Sequence, residues 1–212
     1  MTRHDILNQL TVLIGYLELS RQDISDPGML TYIDKEKKAA DMIRSQILFT
    51  RDYQNIGVYS PQWHNIAETV SLATASIDPS QIIIRANLPQ TEVYADPLLE
   101  KVFFNLIDNS IRHGEHVTEF VVRCDYEGDD LQIIIEDNGV GVPETEKEKI
   151  FRREYFKNTG FGLFLSREIL AITNMTIHEN GTPGKGARFV IQVPRAGYRN
   201  PLGDPASEPA KK

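Results

Sequence analysis

The apolar residues at the start of the chain recur with the period of an α-helix. Between residues 3 and 23 they lie three or four positions apart, and a run of Ser, Asp, Pro and Gly at residues 25–28 ends the pattern. A second helical pattern runs from residue 29 to about residue 56 and includes apolar side chains at intervals of seven. The defining positions are Ile6, Leu7, Leu10, Ile14 and Leu17 in the first pattern, and Ile33, Ala40, Ile43 and Ile47 in the second.

Two amphipathic helices joined by a short turn predict a helical hairpin. A lone hairpin of this kind leaves much of its apolar surface in contact with water. Pairing with a second copy of the chain buries that surface, because four helices can enclose one core. We therefore expect the hairpin to dimerise into a four-helix bundle, which makes the protein a homodimer.

Beyond residue 57 the pattern changes from helical to mixed, and Gly57 and Pro61 punctuate the change. A domain boundary is therefore expected near residue 58. Helical and alternating periods then follow one another, which predicts a second domain of helices and strands. The expected helices are residues 65–76, a helix through 102–114 introduced by Asp96 and Pro97, and 161–172; the expected strands are residues 81–88, 92–94, 117–126, 131–136, 176–179 and 187–193.

The helix through residues 102–114 separates into two unlike faces. One face is built for a core, while the other places two asparagines four positions apart beside cationic side chains. Carboxamide oxygens next to such donors suit a metal ion bound to phosphates, although a solvated polar face is the plain alternative. The core face carries Leu99, Phe103, Leu106, Ile107 and Ser110, and the polar face carries Lys101, Asn105, Asp108, Asn109, Arg112 and His113.

Two glycine-rich segments follow this helix. In residues 136–143 Asp137 stands at the end of a predicted strand, where its carboxylate can accept a hydrogen bond from an exocyclic amine of a nucleotide base. Gly139 and Gly141 permit a close backbone approach there, and a simple tight turn is the alternative. Residues 157–165 form a glycine loop that opens a helix, where backbone N–H groups can bind an anion. A purely conformational helix start is the alternative for this second segment.

Composition and charge limit the classes of protein to consider. The chain has 212 residues, of which 41% are hydrophobic, and carries a net charge of -7. The negative charge argues against a nucleic-acid surface, which requires clustered Lys and Arg. The single cysteine, Cys124, excludes an intrachain disulfide and favours a reducing compartment. No apolar run approaches the ~18 residues of a membrane span, and no signal peptide is visible, so we expect a cytoplasmic protein without a membrane segment.

Three segments occur in a fixed order within about sixty residues. They are an Asn-x-x-x-Asn helix at residues 105–114, a strand-end D-x-G-x-G at 137–143, and a G-x-G-L helix start at 160–165. In this order they resemble the N, G1 and G2 boxes of the ATP-binding domain shared by histidine kinases, Hsp90, type II topoisomerases and MutL. Residues 144–159 resemble the ATP lid of that domain. The resemblance implies an α/β sandwich of the Bergerat type.

The hairpin narrows this resemblance to one branch. Residues 4–10 resemble the H box of sensor histidine kinases of two-component systems, in which a phosphoacceptor His is followed by an acidic residue and, four positions later, by Asn or Thr. The matching residues are His4, Asp5 and Asn8. The α+β protein implied has a dimerisation and histidine phosphotransfer hairpin at residues 1–58 and an ATP-binding catalytic domain at 59–194. We expect residues 195–212, rich in Pro, Gly, Ala, Ser and charge, to form a disordered tail.

The activity implied by the resemblance is ATP-dependent autophosphorylation. The γ-phosphoryl group of ATP would pass to a ring nitrogen of His4 and then to an aspartate of a response-regulator receiver domain, with Mg²⁺ as the metal cofactor. Asp5 would hydrogen-bond the second ring N–H and fix the tautomer. Asn8 would orient a water that hydrolyses the phosphorylated receiver. The implied partners are a receiver domain, a second copy of the chain and an upstream sensor protein.

The same resemblance assigns roles around the nucleotide. Asn109 would coordinate Mg²⁺, Asn105 would support the phosphates, and Arg112 would reach a phosphate. His113 would lie beside the ribose or base, and Asp137 would read the adenine amine. The remaining expected binding residues form the walls and the lid of the site: Gly139, Gly141, Lys157, Gly160, Gly162 and Leu163.

Three departures from the family pattern bear on these expectations. Gln9 stands where the family usually has Pro, so the usual helix kink is not expected. Lys101 stands where ATP-hydrolysing relatives carry a Glu that activates water, which disfavours a hydrolytic ATPase. His4 lies so close to the chain start that the helix is expected to fray. The rival functions are an anti-sigma-type serine kinase and a phosphotransfer or scaffold protein with a degenerate ATP domain.

Overall fold

The computed structural model of the protein describes residues 2–75, 77, 82–153 and 161–201. The chain divides after Gln54 into a helical N-terminal unit and a mixed α/β C-terminal unit. The predicted α+β class is confirmed. The division falls a few residues before the boundary expected from the sequence.

The N-terminal unit is a hairpin of two helices, α1 (Arg3–Asp23) and α2 (Pro27–Asn55). A capping box stabilises the first turn of α1. The Asp5 backbone N–H donates to Thr2 Oγ1 at 3.3 Å, and the Thr2 backbone N–H donates to Asp5 Oδ2 at 2.8 Å. Reciprocal bonds of this kind satisfy two N–H groups that a helix start otherwise leaves unpaired. The expectation of fraying next to His4 overlooked this cap.

Two surface ion pairs join the helices of the hairpin. Arg21 Nε lies 3.0 Å from Asp34 Oδ1, and Lys37 Nζ lies 2.7 Å from Glu18 Oε1. Hydrogen bonding to Lys37 lowers the pKa of Glu18. Pairs this exposed contribute little to stability, so the seam between the helices depends on apolar packing.

The described part of the C-terminal unit contains two sheets, three α-helices and two short 3-10 helices. The five-stranded sheet has the order β2-β4-β5-β7-β6, with β2 parallel to β4 and every other pair antiparallel. The three-stranded antiparallel sheet has the order β1-β3-β8. In chain order the elements are β1 (Gln62–Asn65), α3 (Ile66–Thr74), β2 (Ile83–Asn87), β3 (Glu92–Ala95), α4 (Leu99–His113), β4 (Glu119–Glu127), β5 (Asp130–Asp137), a 3-10 helix (Lys149–Phe151), α5 (Phe161–Ala171), β6 (Thr176–Glu179), β7 (Arg188–Val193), a second 3-10 helix (Arg195–Gly197) and β8 (Tyr198–Arg199).

The core of this unit lies between one face of the large sheet and the helices. Alternate residues of β4, β5 and β7 point inward because strand side chains alternate between the two faces, and α3 and α5 pack on either side of α4. The largest fully buried side chains are Ile66, Leu99, Phe103, Leu106, Ile107, Phe120, Leu131, Ile133, Ile134, Ile135, Ile169 and Phe189. Of these, Ile134 lies between Ile133 and Ile135 in β5 and therefore points to the opposite face of the sheet.

The start of α4 is fixed by a buried carboxylate. Asp96 is 1% exposed; its Oδ1 accepts from the Leu98 backbone N–H at 2.8 Å, and its Oδ2 accepts from the Gly57 N–H at 2.9 Å. Gly57 has a positive φ of 69°, which favours glycine. Asp96 therefore anchors both the first turn of α4 and the segment that leaves the hairpin.

The predicted tail is wrong for residues 195–201. Tyr198 is buried, pairs with Val93 in the small sheet, and donates its hydroxyl to the Asp129 carbonyl at 2.8 Å. The Arg195 backbone N–H donates to Asp130 Oδ1 at 2.9 Å. One buried aromatic ring outweighs the loop-like composition around it, because its burial offsets the entropy of ordering a short segment. Residues 202–212 lie outside the described part of the chain.

Candidate functional site

Asp137 is the best-positioned polar side chain of the predicted site. It ends β5, and its Oδ1 accepts from the backbone N–H groups of Gly139 at 2.9 Å and Ala187 at 3.0 Å. Its Oδ2 accepts from the Ser110 hydroxyl of α4 at 2.7 Å. An ionised carboxylate offers about four lone-pair positions. The three protein donors therefore hold the group in one orientation and leave an acceptor position for a ligand.

Ser110 was placed on the apolar face of its helix by the sequence, and its role was missed. It is 2% exposed, and its hydroxyl lies within hydrogen-bond distance of the Leu106 carbonyl as well as of Asp137. A hydroxyl in an otherwise apolar helix face needs a partner when buried. That requirement is the signal by which the contact with Asp137 could have been found.

The glycines after Asp137 permit close backbone approach. A Cβ on Gly139 would lie 2.5 Å from the Gly114 carbonyl oxygen, at the end of α4. Gly141 has a φ of 70°, and a Cβ there would lie 2.7 Å from the Gly186 carbonyl oxygen. The predicted need for glycine at both positions therefore has a packing cause: the turn is enclosed between α4 and the β6–β7 loop.

The two asparagines of α4 differ in their surroundings. Asn105 donates through Nδ2 to the Gly162 carbonyl at 3.0 Å and to Ser166 Oγ at 3.2 Å, both in α5. Among the described residues no hydrogen-bond partner is found for the Asn109 side chain, which is half-buried. Asn105 thus joins α4 to α5, whereas Asn109 keeps its carboxamide available.

The cationic end of α4 is only partly available for a ligand. Arg112 Nε donates to Asp108 Oδ1 at 2.8 Å in an exposed i,i+4 ion pair, so binding a phosphate would require it to exchange partners. His113 is exposed in the last turn of α4. Lys101 lies in the first turns of the same helix, on its half-buried side.

The first turn of α5 places two further predicted residues. A Cβ on Gly162 would lie 3.3 Å from Asn105 Cγ, so this glycine allows α5 to approach α4. Leu163 is 6% exposed and belongs to the core. Lys157 and Gly160 lie outside the described residues.

His4 lies on the exposed side of α1. Asn8 Nδ2 lies 3.2 Å from His4 Nδ1, one turn along the helix. The Asp5 carboxylate instead belongs to the capping box, and hydrogen bonds from the Thr2 backbone and side chain lower its pKa. The expected Asp5–His4 hydrogen bond is therefore replaced in this structure by a contact with Asn8, because a residue one position away along a helix does not face its neighbour.

The donor groups of the C-terminal unit suit a metal held mainly by phosphate oxygens. Within the described ranges, no group of three or more His, Cys, Asp and Glu side chains could hold a metal ion. Mg²⁺ commonly binds through one or two protein oxygens together with substrate phosphates and water. The available carboxamide of Asn109 fits that requirement.

Residues 95–197, which include α4, the Asp137 turn, α5 and strands β4 to β7 of the large sheet, match the model of the histidine kinase-, DNA gyrase B- and HSP90-like ATPase family. This region is therefore similar to that ATPase family. The match ends at Gly197, the last residue of the second 3-10 helix.

Similarity to sensor histidine kinases covers both units of the chain. The chain is 28% identical to Sensor protein KdpD of Escherichia coli over 91% of its own length and 23% of that protein. It is 24% identical to Sensor histidine kinase WalK of Bacillus subtilis over 90% of its length and 35% of that protein. The chain is thus a relative of sensor histidine kinases and spans about a quarter to a third of the length of these relatives.

Solved structures agree on the fold. Full-length ShkA in complex with AMPPNP matches with a TM-score of 0.64 and 17% identity, over 91% of this chain and 44% of that one. The histidine kinase AdeS of Acinetobacter baumannii matches with a TM-score of 0.59 and 19% identity, over 89% of this chain and 96% of that one. Both likenesses include the helical part as well as the ATPase-family domain.

Among the helices in the described part of the chain, none combines the length and the apolar character required to cross a membrane.

Proposed function

We propose that the chain is the catalytic part of an ATP-dependent protein-histidine kinase that phosphorylates His4. The observation that carries the proposal is the exposed His4 on a capped helix, in a chain whose residues 95–197 match the histidine kinase-like ATPase family. Neither feature alone selects this reaction. Together they supply an acceptor and a domain type that acts on nucleotides.

Nucleotide recognition is assigned to the Asp137 turn and α4. The remaining acceptor position of Asp137 would take a hydrogen bond from the adenine amine, and Gly139 and Gly141 would allow the base to approach the backbone. His113 would contact the ribose or base, and Arg112 would exchange Asp108 for a phosphate, since a phosphate carries more charge than one carboxylate.

The phosphate end is assigned to Asn109, Asn105 and the start of α5. Asn109 would coordinate Mg²⁺, which when bound neutralises charge on the phosphates. Asn105, already bonded to Gly162, would keep the glycine segment against α4. Lys157 and Gly160 complete the proposed phosphate contacts, and Gly162 and Leu163 the adjoining wall.

Phosphoryl transfer requires a neutral His4. A ring-nitrogen lone pair attacks the γ-phosphorus, the bond to the β,γ-bridging oxygen breaks, and ADP leaves with that electron pair. If Nε2 attacks, Nδ1 carries the proton and needs an acceptor. The Asn8 carboxamide lies at Nδ1, and rotation of the amide would present its oxygen there. Asn8 thus takes the tautomer-fixing role first expected of Asp5.

The further steps concern partners. The phosphoryl group on His4 would pass to an aspartate of a response-regulator receiver domain, and Asn8 would also orient water for dephosphorylation of that receiver. The protein would act as a cytoplasmic homodimer under the control of an upstream sensor protein. The exposed apolar residues of α1 and the sensor kinases among the relatives support these proposals.

The proposal is tested by incubating the full chain with Mg²⁺ and ATP labelled at the γ-phosphate. We expect acid-labile, base-stable label on the wild type and on His178→Gln, an exposed histidine of β6. His4→Gln should bind ADP with wild-type affinity and take up no label. Acid-stable label would favour the serine-kinase rival, and failure of the wild type to bind Mg-ATP would favour the scaffold rival.

A further inference from the structure

A buried carboxylate lies at the end of β6, outside the proposed phosphate and base contacts. The Glu179 side chain is 0% exposed. Its Oε1 accepts from the backbone N–H groups of Gly181 at 2.8 Å and Arg188 at 3.1 Å. Its Oε2 has no hydrogen-bond partner among the described residues and lies 3.5 Å from Lys147 Nζ. A charge buried this deeply is costly unless it is compensated.

Lys147 provides that compensation from the segment between β5 and α5. Its side chain is only 13% exposed, and its ammonium group donates to the Gly181 carbonyl and lies 2.7 Å from Glu144 Oε1. The hydrogen bond with Glu144, assisted by the charge of Glu179, raises the pKa of Lys147. The ammonium group is therefore charged and fixed against the β6–β7 loop.

Asp137 and Glu179 accept hydrogen bonds from the backbone N–H groups of two consecutive residues, Ala187 and Arg188. The Arg188 N–H donates to Glu179, while the preceding N–H, that of Ala187, donates to Asp137 Oδ1 at 3.0 Å. The Asp137 backbone N–H returns a bond to the Ala187 carbonyl at 3.1 Å. Gly186 packs directly against the Asp137 backbone, since a Cβ on this residue would overlap the Asp137 carbonyl oxygen. Two carboxylates thus fix consecutive peptide groups at the start of β7.

We propose that Glu179 and Lys147 are positioning residues for Asp137: Glu179 holds the start of β7 so that the Ala187 N–H orients the Asp137 carboxylate. This inference rests on the proposed function, in which Asp137 accepts from the nucleotide base. A carboxylate accepts backbone hydrogen bonds more strongly than a neutral group does, and Lys147 keeps that charge in place.

The same pair fixes the beginning of the segment that resembles the ATP lid. Two other contacts assist: the Gly184 N–H donates to the Val140 carbonyl at 2.7 Å, and the Phe151 ring packs edge-on against Phe189 with centroids 6.3 Å apart. Residues 140–151 are therefore attached to the β6–β7 region at three places. Through these contacts the segment supports the acceptor that selects the base.

The test compares the affinity of the full chain for Mg-ADP and Mg-IDP by calorimetry, because IDP lacks the exocyclic amine. The first variant, Lys147→Met with Glu179→Gln, removes both charges and retains an oxygen acceptor for Arg188. The matched variant, Lys147→Met with Glu179→Leu, removes the acceptor as well. A third, Glu179→Asp, keeps the ion pair and shortens the reach to the amide. Circular dichroism shows whether each variant is folded.

We expect the wild type to prefer ADP, and the Gln variant, which keeps the acceptor but lacks the charge that strengthens it, to lose about threefold of that preference. In the Leu variant the ratio of the affinities for Mg-ADP and Mg-IDP should fall about tenfold, because the acceptor for the Arg188 N–H is lost. In Glu179→Asp it should fall about threefold, because that hydrogen bond is lengthened. A folded Leu variant with the wild-type preference overturns the inference; if that variant does not fold, an unchanged preference in Glu179→Asp overturns it. A wild type that binds neither nucleotide overturns the proposed function itself, and this inference with it.

Discussion

The two units of the chain bury their apolar residues to very different extents. In α1 and α2 the buried apolar residues among those described are Leu10, Ile33 and Ala40, while Val12, Tyr16 and Leu19 are 58%, 67% and 58% exposed. These three lie three and four positions apart on one face of α1. The C-terminal unit instead encloses a full core of Phe, Leu, Ile and Val. The hairpin is therefore the part that needs apolar surface from elsewhere.

The polar residues of the two proposed sites also differ, in how firmly the surrounding structure holds them. In the C-terminal unit Asp137 and Asn105 are held by several hydrogen bonds to other elements of the same unit. On the hairpin His4 is exposed, and among the described residues its side chain is bonded to Asn8 of the same helix. A nucleotide site gains from rigid geometry. An acceptor that must meet a nucleotide and then a receiver gains from exposure.

The largest effect should come from the core of the C-terminal unit. Phe103 is 0% exposed in α4, whereas the neighbouring Phe104 is 39% exposed. Phe103→Ala should cost about 3–5 kcal/mol of the free energy of unfolding, since it leaves a cavity, and Phe104→Ala roughly 1 kcal/mol or less. Urea unfolding followed by circular dichroism measures both. Equal costs would mean that this core is not as complete as the burial indicates.

The next effect concerns the exposed face of α1. Tyr16→Asp places a charge where the proposed second copy would pack, so it should convert a dimer into a monomer of 24.1 kDa. Leu72→Asp is the matched control, because Leu72 is 62% exposed in the C-terminal unit. Analytical ultracentrifugation should show a dimer for wild type and control. A monomeric wild type at micromolar concentration would contradict the proposed bundle.

A pH-dependent effect should be confined to the C-terminal unit. Burial lowers the pKa of His64, against the opposing influence of a hydrogen bond with the Ala95 backbone and of the Asp96 charge. The folded state therefore binds this proton less readily than the unfolded state, so stability present above about pH 6.5 should decrease as the pH falls. Thermal unfolding between about pH 7.5 and 5 should show a smaller decrease in His64→Gln. If the stability of His64→Gln decreases with falling pH as much as that of the control His178→Gln, His64 is not the cause of the pH dependence.

The smallest effect should come from the cap beside His4. Thr2→Ala removes the hydroxyl that accepts from Asp5 N–H, which should cost about 0.5–2 kcal/mol of helix stability. Amide exchange in the first turns of α1 should accelerate while exchange in α4 stays the same. Thr2→Ser retains the cap and should behave as the wild type. Faster exchange in both variants would show that the hydroxyl is not responsible.

Sequence patterns anticipated the elements with clear periods and the residues with fixed local spacing. Helices α1 and α5, strand β6, and Asp137 at the end of β5 lie at or within a residue or so of the expected positions. Hydrophobic periodicity is reliable there because each element buries one continuous face. The Asn, Asp and Gly motifs were visible because each lies within a short stretch of chain.

The features that sequence reasoning missed depend on distant contacts or on very short elements. Strand β8 has two residues, too few to display a period. Ser110 meets Asp137, and Lys147 meets Glu179, only after separate elements have packed together. A Glu at an inward-facing strand position two residues after buried Ile177 was the available signal for the second pair. A buried Glu requires a cationic or hydrogen-bonding partner, but the sequence alone does not show that this partner is Lys147.

Phosphorylation of the hairpin at His4 by the C-terminal unit can be measured by peptide mapping with mass spectrometry, at neutral to basic pH, of the full chain after incubation with Mg-ATP. We expect one phosphoryl group on the peptide that contains His4, and none on that peptide in Asn109→Ala, which lacks the proposed metal ligand. Phosphate on a serine or threonine instead, or an unmodified His4 peptide in a chain that binds Mg-ATP, would show that the chain is not a kinase of its own His4.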